Sequence, residues 1–187
     1  IDKEVLEYMP EGKTTDKLYQ GQTNLSFKEV SNQWLRDIQP TSSSGLVHSD
    51  LDNDGDLELV INGTDEPARI FKNNAQELFG NNFLKIQLTD VSNNVFGIGT
   101  KLYIHSANSL KYEQFFPFRG FGSSQPYDIT VGLGSKSVDS IVVVWPDGNK
   151  QIVQPRINEL QTIQYALNSE SGFSPSEQNE FLTHGVE

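Results

Sequence analysis

The chain contains no cysteine, which removes disulfides, thiol nucleophiles and zinc–thiolate sites together. Basic residues are scarce: 14 Lys and Arg stand against 25 Asp and Glu, for a formal net charge of −11. So acidic a chain repels phosphate backbones, and nucleic acid is not expected as a partner. Anionic membrane surfaces are disfavoured by the same repulsion. No stretch approaches the about 18 consecutive apolar residues of a membrane-spanning helix. Apolar residues are also few, at 35%, which is low for a globular protein. The 11 Phe, 6 Tyr and 2 Trp partly compensate. Over 187 residues, these proportions suit two compact units better than one large core. The chain opens at Ile1 rather than Met and is read as a slice or processed product of a longer protein.

What is present is dominated by short alternating runs. Asp16 to Gln20 and Leu25 to Val30 predict two short strands around the turn-like Gly21-Gln22-Thr23-Asn24. Gly45 to Asp50, an acidic loop, and Leu57 to Gly63 read as strand, loop, strand, followed by a short strand over Arg69 to Asn74. Leu84, Ile86 and Leu88 alternate with Lys85 and Gln87, and Leu102 and Ile104 alternate with Lys101, Tyr103 and His105. Both have the period of a half-buried strand. Ser140 to Trp145 is continuously apolar after its first residue, as in a strand buried on both faces, and Pro146-Asp147-Gly148-Asn149 predicts the hairpin turn that follows. Lys150 to Val153 and Gln161 to Ala166 supply further strands, and Phe115 to Arg119 reads as another. Between Asn82 and Ala166 no convincing helical period occurs, and one helical turn is expected around Ser176 to Phe181. Three Gly-x-Gly triplets, at Gly97, Gly120 and Gly132, read as turns and bulges rather than phosphate loops.

The strongest local signal is Asp50-Leu51-Asp52-Asn53-Asp54-Gly55-Asp56-Leu57-Glu58. Carboxylates at the first, third and fifth positions can converge on one hard cation, and Gly55 permits the sharp turn that aims them inward. Asp56, seventh, would offer its backbone carbonyl, and Glu58, ninth, its side chain. Ca2+ is the expected ion, with Asp50, Asp52, Asp54, Asp56 and Glu58 as its ligand residues. Crowded carboxylates repel one another without a counter-ion. The competing reading is a solvated acidic turn. An EF-hand does not fit: its twelfth position falls on Ile61, and Leu59-Val60-Ile61 reads as a strand.

Asp50 to Glu58 followed by Leu59-Val60-Ile61-Asn62 resembles the FG-GAP/VCBS repeat, a blade unit of integrin-α-type β-propellers, although that family usually has Asp where this chain has Glu58. Leu18 to Val30 resembles the end of a preceding repeat. A second set of residues resembles the ASPIC/UnbV domain found after such repeats in cartilage acidic protein and bacterial surface proteins: Asn93 to Lys101, Arg119 to Ser124, Val131 to Gly134, and Val138 to Gly148. The resemblances imply an all-β chain, with partial β-propeller-type hairpins over residues 1–80 and a small antiparallel β-sandwich or barrel over 81–168. Residues 169–187 would be a linker or the start of a following repeat region, Phe181 to His184 looking like its opening.

The resemblances also imply a secreted or cell-surface setting and a calcium-dependent binding, scaffold or adhesion role in a larger bacterial protein, with a glycan or another protein as ligand. No enzyme is expected. His48, His105 and His184 are dispersed, and no nucleophile elbow or Ser/His/Asp set occurs. The alternative is part of a carbohydrate-active enzyme with a structural calcium. Trp34, Phe115, Phe116, Phe118 and Phe121 are the candidate sugar platform, set against ordinary core packing.

Overall fold

The computed structural model describes residues 8, 12–35, 38–90, 93–107 and 109–167. The expected C-terminal linker over 169–187, its repeat-like Phe181 to His184 and its His184 lie outside the described residues. Within them the chain is all-β, with twelve strands and two helices of about one turn. No sheet closes on itself, so of the two forms expected for the second block the barrel is absent. The backbone divides into two units: one takes residues from 1–49, 58–72 and 120–123, the other residues from 50–57, 73–119 and 124–187.

In the first unit, β1 (Tyr19–Gly21) and β2 (Phe27–Glu29) form an antiparallel hairpin around the predicted turn. The helix α1 (Ser31–Trp34) follows directly. The Ser31 hydroxyl accepts the Leu18 amide at 2.9 Å, tying the helix back to the hairpin. The strands β3 (Ser43–Ser49), β4 (Glu58–Gly63) and β5 (Glu66–Phe71) form a meander, with Ser49 opposite Glu58 at the mouth of the acidic loop. Arg69 binds this sheet to the chain before it, donating to Asp16 Oδ2 and Thr41 Oγ1 at 2.7 Å each and to Ser43 Oγ at 2.9 Å. Val30, Leu35 and Ile61 are its buried apolar residues.

The second unit holds the main core. The helix α2 (Ala75–Phe79) precedes β6 (Asn82–Thr89). The strand β6 lies between β9 (Asp128–Gly134), antiparallel to it, and β12 (Leu160–Gln164), parallel to it. A second sheet has the order β11 (Lys150–Val153), β10 (Ser140–Val144), β7 (Lys101–Ser106), β8 (Ser109–Gln114). Alternate residues of both sheets merge into one cluster: Leu84, Ile86 and Leu88 from β6, Leu102 and Ile104 from β7, Ile141 and Val143 from β10. Each such side chain contributes about 1.5–3 kcal/mol by leaving water.

Three sequence expectations are corrected here. The strand β10 buries Ile141 and Val143 but leaves Val142 and Val144 half-covered, because it has a neighbouring sheet on one face only. Phe115 to Arg119 is not a strand. It is irregular chain with one bridge, Phe118 to Ser124. Lys85 is not on a solvated face: it is only 9% exposed. The turn after β10 forms as expected, with Gly148 at φ +89° and the Trp145 amide donating to the Asn149 carbonyl at 2.9 Å. Gly132 sits at a bulge, where the β6–β9 register slips. Gly97 and Gly120 turn the chain at positive φ.

Candidate metal centre

The acidic loop is the connection of the β3–β4 hairpin. Its path depends on two residues with positive φ, Asn53 at 62° and Gly55 at 95°. Asparagine tolerates that region better than most residues, and glycine enters it without steric cost. Gly55 is required for a second reason. A β-carbon there would lie 2.0 Å from the Phe83 ring, so the loop backbone packs directly against an aromatic side chain of β6. By packing, the loop belongs to the second unit.

The five predicted ligand residues fall into two groups. Asp50, Asp52 and Glu58 bring carboxylate oxygens within 4.8 Å of one another. Oxygens held about 2.4 Å from one calcium ion are at most about 4.8 Å apart, so these three carboxylates lie close enough to share one. Asp54 and Asp56 form the second group with Glu77 of α2, at the same spacing. Within it, Asp54 Oδ1 accepts the Asp56 amide at 3.0 Å, and Asp56 Oδ2 accepts the Gln76 amide at 2.8 Å. The Asp56 amide draws the Asp54 carboxyl pKa downward. Burial and the charges of Asp56, Asp52 and Glu77 outweigh that bond and leave it above the ordinary carboxylate value.

The Asp50 side chain is fully enclosed, 0% exposed. Lys85 Nζ donates to Asp50 Oδ2 and to Asn53 Oδ1, at 2.8 Å each, and stands 3.8 Å from Asp128 Oδ2. The other oxygen, Asp50 Oδ1, is buried and receives no hydrogen bond among the described residues. Leaving such an acceptor dry is costly. A cation held jointly with Asp52 and Glu58 would satisfy it.

Sequence reasoning missed Lys85 and Glu77. Lys85 carries the alternation of an exposed strand position, and Glu77 lies in a segment with no helical signal. The histidines contribute little: neither His48 nor His105 belongs to either acidic group. Of the aromatic candidates, Phe115 is core, only 4% exposed. Phe116 and Phe118 meet edge to face in the second unit and remain half-exposed. Trp34 and Phe121, in the first unit, are exposed. In the second unit Phe96 and Tyr127 stack with ring centroids 4.2 Å apart.

The residues that carry the second resemblance do structural work. Asn94 clasps its own turn, accepting the Ile98 amide and donating to the Ile98 carbonyl at 2.9 Å each. Gly97 lies against Trp145, where an added β-carbon would be 3.0 Å from the ring. The Arg119 guanidinium donates to the Phe116 and Gln114 carbonyls and so fixes the irregular chain after β8. Residues 90–170 match the ASPIC and UnbV family model. The ASPIC and UnbV match runs through β7 to β12 and begins just after β6, the strand on which the acidic loop rests. No curated protein matches the chain.

Proposed function

We propose that this chain is a calcium-binding module of a larger secreted or cell-surface protein, and that it binds or scaffolds rather than catalyses. One observation carries the reading: Asp50, Asp52 and Glu58 converge, and Asp50 presents a buried oxygen with no donor among the described residues. Hard oxygen donors of this kind select calcium over softer metals. The loop's resemblance to the FG-GAP/VCBS repeat favours the same ion, with Asp54 and Asp56 completing the site by side chain or carbonyl. When bound, the ion would offset part of the loop's negative charge and stiffen the β3–β4 connection.

The ASPIC and UnbV match supports a domain within a longer protein. An extracellular setting supplies calcium at concentrations that fill a modest-affinity site. The exposed aromatics Phe116 and Phe118, with the stacked Phe96 and Tyr127, suit contact with a glycan or protein ligand. Calorimetric titration of calcium into the wild type and into a variant with Asp52→Ala and Asp54→Ala tests the metal. Heat from the wild type alone is expected, and equal heats from both would remove the site. A glycan array follows for the ligand.

A further inference from the structure

Lys85 anchors the acidic loop within the second unit. It is the one charged residue buried within β6, and it reaches out of the sheet to two loop residues that are 35 and 32 positions earlier in the chain. It uses one carboxylate oxygen of Asp50 and leaves the other without a donor among the described residues. A carboxylate with one oxygen pinned can turn only a little about its last bond. Its second oxygen is then held in place before any ion arrives. The Asn53 bond does the same for the backbone between the first and third loop positions.

We infer that Lys85 is the positioning residue of the cation site: its ammonium holds Asp50 Oδ2 and Asn53 Oδ1 so that Asp50 Oδ1 is presented to the ion, and it transmits ion occupancy to β6. The inference rests on the calcium reading above and deepens it. Lys85 keeps its own bonds when the ion binds, because ion and ammonium use different oxygens of Asp50. Asp128 Oδ2, 3.8 Å away, adds negative charge beside the ammonium and favours its staying. Partners of ligating carboxylates commonly govern metal affinity by about 10–100-fold. The opposite behaviour, an ammonium competing with the ion for one oxygen, would make binding tighter when Lys85 is removed.

The test uses the full chain and calcium alone. Calorimetry on wild type, Lys85→Met, Lys85→Arg and Asn53→Gly is paired with hydrogen exchange of the β6 amides, with and without calcium. Lys85→Met is expected to weaken binding at least about tenfold and to abolish the calcium-dependent protection of β6. Lys85→Arg should restore much of both, since it keeps a cationic donor. Asn53→Gly accepts the positive φ and removes one acceptor of the ammonium; it should weaken binding several-fold, and it decides the matter if Lys85→Met does not fold. Equal or tighter binding by Lys85→Met, or unchanged β6 protection in it, overturns the positioning role while the calcium site stands. No binding by the wild type overturns the calcium reading itself.

Discussion

Asp50 and Lys85, 35 positions apart, form a buried ion pair at 2.8 Å that joins a hairpin loop to the central strand of a sheet. Its members are 0% and 11% exposed at their side chains, so screening by water is slight. Removing one member should cost far more than replacing both. In chelator, Asp50→Ala is expected to lose about 3 kcal/mol, at the low end of the usual range, because Asn53 and Asp128 still face the ammonium. Asp50→Leu combined with Lys85→Met should lose clearly less. Urea unfolding of the two variants decides it, and equal losses would show that the pair does not act as a unit.

Gly55 packs its backbone against the Phe83 ring. Gly55→Ala meets both the left-handed backbone penalty and the Phe83 ring. A loss of about 3 kcal/mol is expected from the two together. Gly120 has a comparable φ, +77°, but nothing within 4 Å of an added β-carbon. Gly120→Ala should therefore lose only about 1–2 kcal/mol. Similar losses for both would mean that the Phe83 contact does not matter.

Tyr165 donates to Asp147 Oδ2 at 2.6 Å, and both groups titrate accordingly. The Tyr165 hydroxyl, then the Asn149 amide, hold the Asp147 carboxyl below its ordinary 3.8. The hydrogen bond to Asp147, then burial, raise the Tyr165 phenol above its ordinary 10.0. A depressed carboxyl stabilises the fold above 3.8 and loses that contribution as pH falls through its lowered value. A raised phenol stabilises it below 10.0 and loses the contribution as pH rises through its raised value. The bond therefore persists on the plateau between and fails at both ends. Ultraviolet titration, with Tyr165→Phe to assign the signal, should place Tyr165 above ordinary tyrosine. Asp147→Asn should lower it, and no change would dismiss the link.

The shared core of the second unit predicts a sharp contrast between two apolar residues. Leu102 is 0% exposed, whereas Ile152 is 65% exposed. Leu102→Ala should cost about 2–5 kcal/mol, and Ile152→Ala no more than about 0.5 kcal/mol. Thermal unfolding compares them directly. A large effect at Ile152 would point to cover over β11 by a partner surface.

Much of the sheet structure was legible because a strand advertises itself by alternation. Leu84, Ile86 and Leu88 point to one core, as their spacing predicts. The strands β8 and β9 were missed. Ser109 to Gln114 has one apolar side chain that is not aromatic, and in Asp128 to Gly134 the alternation of Ile129, Val131 and Leu133 is masked by two glycines that read as turn signals. Both are held by pairing with β7 and β6, which no local pattern reports.

Alternate acids and a glycine between apolar runs suffice to specify a bent, highly charged hairpin connection, because backbone sterics and charge repulsion act over a few residues. Those short-range forces made the all-β class and the candidate cation loop readable along the chain. They do not say which carboxylates share a centre. Asp50 grouped with Glu58, Asp54 with Glu77, and a buried ammonium from β6 reached the loop, all through folding of distant segments. Burial and ion pairing depend on what arrives from elsewhere in the chain, so the assembled three-dimensional arrangement alone decides them.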